Sequence, residues 1–116
     1  MAKSILIIDN EEMILEALRV VLEGFGYRVD IYLDPFAGEQ AALANDYNLI
    51  LVDLRMPGKN GVEIVRSVIA KNKTTPLLVI TGFPGDPLAE EALACGATDL
   101  IRKPFELPTI LKFLEG

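Results

Sequence analysis

The chain contains no histidine and only one cysteine among its 116 residues. Without histidine it can form neither the usual zinc sites nor an active site that uses histidine as general base. The single cysteine, Cys95, excludes an internal disulfide and is typical of a protein from a reducing compartment. Carboxylates, hydroxyls, amides and amines therefore remain as the side chains that could carry chemistry.

Long apolar runs and an excess of positive charge are also missing. No apolar run approaches the roughly 20 residues that a membrane helix needs. Strand-like sequence begins directly after residues 1–3, which leaves no room for a signal peptide. We therefore expect a cytoplasmic protein that does not bind membranes. Seventeen acidic residues against eleven basic ones give a net charge of −6, which argues against nucleic-acid binding by this segment.

Short apolar runs of strand length alternate with amphipathic stretches of helix length. Strands separated by helices predict a parallel sheet with helices on both faces. The first, third and fourth runs are continuously apolar and should be central, whereas the second alternates and fits an edge. We predict one doubly wound α/β domain over residues 1–116, with five helices and the flavodoxin-like strand order 2-1-3-4-5. The predicted strands are Ile5–Ile8, Val29–Leu33, Leu49–Val52, Leu77–Ile80 and Asp99–Arg102.

Turn and capping residues mark the boundaries of the predicted helices. Asn60 is expected to cap the third helix, which should end near Asn72. Asp86 is expected to cap the fourth helix, with Pro87 in its first turn. We interpret Gly61 as an ordinary turn residue that supports the preceding loop.

Polar residues follow the predicted strands where a doubly wound sheet binds its ligands. Asp9 comes directly after the first strand and Asp53 after the third, and these two strands are neighbours at the switch point. A buried charge without a partner is costly, so the pair predicts a cation site. Either aspartate alone could instead cap the turn that follows it. Because Thr81 ends the fourth strand and Lys103 follows the fifth, we favour the site.

The residue types at these strand ends suit phosphoryl transfer. Carboxylate and carbonyl oxygens are ligands for Mg²⁺, which one or two carboxylates often hold together with phosphate oxygens. The ammonium of Lys103 and the hydroxyl of Thr81 could bind an anion on the other side of the metal. With no histidine or reactive cysteine there, the nucleophile should be a carboxylate. We choose Asp53 because it lies centrally between the metal ligands and the Thr81–Lys103 pair.

A series of short motifs extends this pattern along almost the whole chain. They are Ile5–Asp9 with the acidic residues that follow it, the heptapeptide Val52–Gly58, Asn60-Gly61, Thr81-Gly82, Gly96-Ala97 and Lys103-Pro104-Phe105. In residues, order and spacing they resemble the receiver domain of two-component response regulators. The agreement of several separated motifs is far more specific than any one of them.

The resemblance implies that Asp53 takes a phosphoryl group from a histidine kinase or phosphotransfer protein and forms an acyl phosphate. It also implies Mg²⁺ as the cofactor, with Thr81 as the switch hydroxyl and Lys103 as the lysine that pairs with the phosphoryl group. The implied metal ligands are Asp9, Asn10, Asp53 and the backbone carbonyl of Arg55. Phosphorylation should then change a protein-interaction surface formed by the fourth helix, fifth strand and fifth helix. An output domain, a downstream protein or a second copy of the chain could bind there.

The chain departs from the family's pattern in three respects. The second of two adjacent acids, usually a direct metal ligand, is Asn10 here, and we predict weaker metal binding and slower phosphorylation. Glu11 could compensate in part. Leu100 of the fifth strand stands at the position where the family usually has an aromatic switch residue. Arg55 and Phe83 are large, and we expect them to shield an acyl phosphate from water.

The residues at the strand ends raise three possible functions. The first is a phosphoacceptor signalling domain that catalyses its own phosphorylation and dephosphorylation. The second is an atypical receiver that works as a phosphorylation-independent interaction module because of Asn10. A phosphatase with an aspartyl intermediate would want a second acid where Arg55 stands, which argues against it. The sequence leaves open whether the domain stands alone or belongs to a longer regulator, and which kinase, output and oligomeric state apply.

Overall fold

Strands and helices alternate in the computed structural model, which describes residues 2–71, 74–83, 85–103 and 107–115. None of the helices in these ranges is long and apolar enough to cross a membrane. The elements in chain order are β1 (Ser4–Ile8), α1 (Glu12–Gly24), β2 (Arg28–Tyr32), α2 (Pro35–Ala44), β3 (Leu49–Asp53), α3 (Gly61–Ala70), β4 (Leu77–Thr81), α4 (Pro87–Ala94), β5 (Asp99–Arg102) and α5 (Leu107–Glu115).

The strands form one parallel sheet in the order β2-β1-β3-β4-β5. Every residue of β3 and β4 is buried, because helices cover both faces of the central strands. The edge strand β2 is partly exposed, in keeping with its alternating sequence. The predicted doubly wound fold and its strand order are confirmed.

Two apolar layers hold the helices on the sheet. Successive side chains of a strand point to opposite faces, so Ile5 and Ile7 pack against α1 and α5 in one layer. Leu6 and Ile8 pack in the other layer, against α2, α3 and α4. Each fully buried side chain of this size stabilises the fold by roughly 1.5–3 kcal/mol. The two layers fix the sheet and therefore the edge at which the strands end.

Side chains cap the helices that begin near this edge. Asn60 and Glu63 form a reciprocal capping box at the start of α3, with hydrogen bonds of 3.1 and 3.0 Å. Asp86 accepts a hydrogen bond of 3.0 Å from the backbone nitrogen of Leu88 and caps α4. Both predicted caps are confirmed. Helix α3 ends at Ala70, before the predicted end near Asn72, and Asn72, Pro104 and Phe105 lie outside the described residues.

Candidate active site

Three strands bring polar side chains together at their carboxyl ends. Asp9 directly follows β1, Asp53 closes β3, and Thr81 closes β4, and these strands are neighbours in the sheet. All three residues are buried, with exposed fractions of 0% for Asp9, 6% for Asp53 and 2% for Thr81. The topology therefore places two carboxylates and a hydroxyl in a buried cluster at the predicted switch point.

Lys103 brings a positive charge to the two carboxylates. Its backbone nitrogen donates to the carbonyl of Thr81 at 2.9 Å, which ties the end of β5 to β4. Its Nζ lies 3.4 Å from Oδ2 of Asp9 and 3.5 Å from Oδ2 of Asp53. Lys103 also forms a close ion pair with Glu11. One ammonium thus contacts three carboxylates.

Glu11 completes an acidic cluster that sequence reasoning identified only in part. Carboxylate oxygens of Asp9, Glu11 and Asp53 lie within 4.8 Å of one another. Asn10, the predicted ligand between them, is exposed to solvent and borders the cavity beside the cluster. In the sequence, the position of Glu11 two residues after Asp9 was the available sign that it could join the cluster. The direction of its side chain, however, depends on the path of the loop.

The cluster has the chemistry of a site for a hard cation. Oδ1 of Asp9 accepts a hydrogen bond of 3.0 Å from the backbone nitrogen of Glu11. Its Oδ2 is buried and, although Nζ of Lys103 is 3.4 Å away, accepts no hydrogen bond from any described residue. A buried acceptor without a partner costs about 1–3 kcal/mol. Carboxylate oxygens are preferred ligands of Mg²⁺, and a bound ion would give this oxygen a partner. The residues present fit such an ion.

Burial and neighbouring charges shift the pKa values of the cluster. Burial raises the pKa of Asp53 to about 6, the charge of Asp9 adds to the rise, and Lys103 opposes it. Burial works against the charge of Lys103, but its hydrogen bond to Glu11 and the charges of Asp53 and Asp9 outweigh this effect and raise the pKa of Lys103. At pH 7 Asp53 is therefore mostly ionised, and Lys103 keeps its positive charge.

Thr81 directs its hydroxyl away from this cluster. The oxygen lies 3.1 Å from Oδ2 of Asp86 and 3.1 Å from the carbonyl oxygen of Phe83, which are alternative acceptors for its proton. Arg55 binds Asp86 with two hydrogen bonds, from Nε at 3.1 Å and Nη2 at 2.7 Å. Sequence reasoning recognised Asp86 as a helix cap but missed these contacts, because no local pattern links residues 31 positions apart.

The loop after β3 bends around Asp53. The backbone nitrogen of Arg55 lies 3.4 Å from Oδ1 of Asp53, while the Arg55 guanidinium stacks over the Phe83 ring at 5.2 Å from its centroid. The carbonyl of Arg55 as a metal ligand stays a prediction. Leu100 in β5 is half-buried against the apolar layer that packs under α4.

A cavity of about 360 Å³ opens above these side chains. The N-caps of α1 and α3 are Glu11 and Asn60, so Asp9 and Asp53 do not cap these helices. Each aspartate does cap the turn that follows it, because its Oδ1 accepts from the backbone nitrogen two residues on, in Glu11 or Arg55. The other oxygen, Oδ2, lies beside Nζ of Lys103, so the turn-capping role leaves one oxygen of each carboxylate for the cluster. The residues that line the cavity are Asn10, Glu11, Asp53, Leu54, Arg55, Ile80, Thr81, Gly82, Phe83, Asp86 and Lys103.

Known proteins are similar to this chain in sequence and in architecture. Response regulator ArlR from Staphylococcus saprophyticus is 40% identical over 107 residues, which cover 92% of this chain and 48% of that protein. The transcriptional regulatory protein FixJ from Bradyrhizobium diazoefficiens is 32% identical and is covered over 55% of its length. The chain therefore spans about half the length of the curated relatives it matches.

Solved structures of response regulators have the same fold as this chain, and a protein family matches almost its whole length. The crystal structure of FixJ-N has 33% sequence identity and a TM-score of 0.87, with 99% of this chain and 92% of that chain covered. A Burkholderia pseudomallei response regulator, solved with a phosphorylated aspartic acid, calcium and citrate, has 28% identity and a TM-score of 0.87 over 97% of this chain and 66% of that one. Residues 5–115 match the response regulator receiver domain. The resemblance seen in the motifs is therefore confirmed, and the chain belongs to the family of response regulator receiver domains.

Proposed function

We propose that Asp53 is the phosphoacceptor of this receiver domain and that residues 1–116 act as one signalling unit. The observation that carries the proposal is the position of Asp53, buried between Asp9 and Lys103 in one carboxylate–ammonium cluster. The B. pseudomallei relative, which has the same architecture, contains a phosphorylated aspartic acid. Phosphorylation of Asp53 would then change the surface formed by α4, β5 and α5.

The chemistry follows from the charges around Asp53. The residues that would hold Mg²⁺ are Asp9, Asn10, Asp53 and the carbonyl of Arg55, with Glu11 beside them. A bound ion supplies positive charge to the phosphoryl oxygens. Above a pH of about 6 Asp53 is mostly ionised, and its oxygen attacks the phosphorus. The bond from phosphorus to the donor breaks, its electron pair leaves with the donor, and Lys103 offsets the charge gained.

The partners follow from the same chemistry. A histidine kinase or phosphotransfer protein is the proposed donor of the phosphoryl group. An output domain or a downstream protein is the proposed receiver of the signal, in keeping with relatives about twice as long as this chain. A homodimer through the α4–β5–α5 surface is a further proposal, and a cytoplasmic location suits all of these partners. Contacts of this segment with nucleic acid or a membrane form no part of the proposal.

Incubation with acetyl phosphate and Mg²⁺ is expected to add the mass of one phosphoryl group to the intact protein. The adduct should be lost in Asp53→Ala and on removal of Mg²⁺ by EDTA, because both the nucleophile and the charge on the phosphoryl oxygens are needed. Asp99→Ala, which removes an exposed carboxylate at the start of β5, is the matched control and should keep the adduct. An adduct that persists in Asp53→Ala would contradict the proposal.

Asn10 supports a second candidate, an interaction module that works without phosphate. An amide at this position removes one negative charge from the site, and ligand charge tunes the affinity for divalent cations. Absence of the adduct at millimolar Mg²⁺, with the protein folded, would favour this candidate over the first.

Asn10→Asp is expected to tighten Mg²⁺ binding by about tenfold, because it adds a carboxylate beside Asp9 and Asp53. Glu11→Gln should weaken binding, because it removes a carboxylate from the same cluster. Titration with Mg²⁺ followed by NMR or calorimetry measures both effects. Gln40→Glu adds the same charge on an exposed position of α2 and should leave the affinity unchanged. Equal affinities of Asn10→Asp and Gln40→Glu would show that position 10 does not face the metal.

A further inference from the structure

Asp86 is an almost completely buried carboxylate that the proposed phosphoryl transfer does not use. Its side chain is 1% exposed, and both of its oxygens have partners. Oδ1 accepts from Nη2 of Arg55 at 2.7 Å and from the backbone nitrogen of Leu88 at 3.0 Å. Oδ2 accepts from Nε of Arg55 at 3.1 Å and lies 3.1 Å from the hydroxyl of Thr81, whose one proton goes either to this oxygen or to the carbonyl of Phe83. The hydrogen bonds from Arg55 are the largest effect that lowers the pKa of Asp86, so it is an anion at neutral pH.

The two donors that Asp86 holds border the same cavity as Asp53. Thr81 and Arg55 line it together with Asp53 and Lys103. A hydroxyl and a guanidinium are the donors that a phosphoryl group would accept from, and the fork of a guanidinium matches phosphate oxygens as well as a carboxylate. In the unphosphorylated protein both donors contact Asp86, which lines the same cavity.

We propose that Asp86 is a positioning residue that competes with a phosphoryl group on Asp53 for Thr81 and Arg55. The inference rests on the proposed role of Asp53. When a phosphoryl group arrives, the hydroxyl of Thr81 and the guanidinium of Arg55 leave Asp86 and donate to the phosphoryl oxygens. Because Asp86 must give up these hydrogen bonds, it opposes the phosphorylated state and sets how strongly a phosphoryl group must bind before the domain switches.

The same residue connects the cavity to α4. Asp86 is the N-cap of this helix, so a change in its side-chain contacts acts on the first turn of α4. Phe83 stacks on the guanidinium of Arg55 and is itself half-exposed. Transfer of Arg55 to a phosphoryl group therefore changes the surroundings of the Phe83 ring and of the α4 N-terminus together. Both belong to the loop and helix that begin the proposed interaction surface.

Binding of beryllofluoride, an analogue of the phosphoryl group, tests the competition directly. Asp86→Asn keeps a side-chain oxygen that can cap α4 but removes the negative charge. We expect it to bind beryllofluoride about tenfold more tightly than the wild type at fixed Mg²⁺. ¹H–¹⁵N NMR titration measures the affinity. Before the analogue is added, the amide signals of Thr81 and Gly82 in Asp86→Asn should already be displaced toward the positions that they take in the beryllofluoride-bound wild type.

Asp34→Asn is the matched control, because Asp34 caps α2 in the same way, from an exposed position followed by Pro35. It should leave the affinity unchanged. An affinity of Asp86→Asn equal to or weaker than that of Asp34→Asn overturns the inference, whereas a wild type that does not bind beryllofluoride overturns the proposed function as well. Should Asp86→Asn not fold, Asp86→Ser keeps a capping hydroxyl and carries the same expectation.

Discussion

Replacement of Gly61 by alanine is expected to lower the free energy of unfolding by about 3 kcal/mol. A Cβ at the start of α3 would lie 2.7 Å from the carbonyl oxygen of Asp53 and 3.0 Å from Cα of Leu54. Both atoms belong to the backbone at the end of β3, which cannot yield without moving the candidate phosphoacceptor. The backbone nitrogen of Gly61 also donates to the carbonyl of Leu54 at 2.9 Å, which holds the two segments together. Urea unfolding at pH 7 measures the change.

Gly24→Ala is the control for the intrinsic effect of the substitution. Gly24 is the last residue of α1, and a Cβ there would meet no atom within 4 Å. Alanine is the better helix former, so we expect a change below about 1 kcal/mol, toward greater stability. Because Gly61 lies against Asp53, Gly61→Ala should also weaken beryllofluoride binding, whereas Gly24→Ala should not. Equal stability of the two variants would show that the close approach of α3 to β3 imposes no constraint.

The sequence patterns that predicted the fold correctly were those in which burial directly determines the type of residue at each position. Both β3 and β4 are covered on two faces, so every position is apolar or belongs to the site. The edge strand β2 has one protected face and therefore alternates. Asn60 and Asp86 were recognisable as caps, because a helix N-terminus needs a side-chain acceptor close in sequence. Asp9 and Asp53 were recognisable as site residues because a charged side chain at the end of a buried strand is costly unless it has a partner.

Contacts between distant segments were beyond such patterns. Gly61 appeared to be an ordinary turn residue, whereas the structure shows that the backbone of β3 leaves no room for a side chain. The Arg55–Asp86 pair depends on the paths of two loops and on the direction of a long side chain, which spacing does not record. The buried Glu39 of α2 is a similar case, since its ion pair with Lys59 at 3.1 Å had no local signature. Sequence patterns therefore locate a site, while its supporting contacts come from the packing of loops.

Substitution of Asp53 by asparagine is expected to stabilise the metal-free protein by about 1–2 kcal/mol at pH 7.5. The pKa of Asp53 is raised from 3.8 to about 6, which corresponds to at most about 3 kcal/mol against the folded state once the group is ionised. Solvent in the cavity that Asp53 borders screens part of this cost. Since the raised pKa means that the folded state binds the proton more tightly, the cost is fully present above a pH of about 6. It vanishes below about pH 4, where both states are protonated.

Urea unfolding of the wild type and Asp53→Asn in EDTA, from pH 4 to 7.5, measures this difference, which should grow as the pH rises from about 4 to about 6 and stay level above that. Asp99→Asn removes an exposed carboxylate at the start of β5 and should change stability by less than about 0.5 kcal/mol at every pH. Mg²⁺ should stabilise the wild type by mass action and Asp53→Asn less, which narrows the gap between them. A difference independent of pH would mean that burial does not penalise the Asp53 charge. A bound ion gains affinity when it relieves repulsion between the crowded carboxylates. Without a penalty on the Asp53 charge, this gain in metal affinity would be absent.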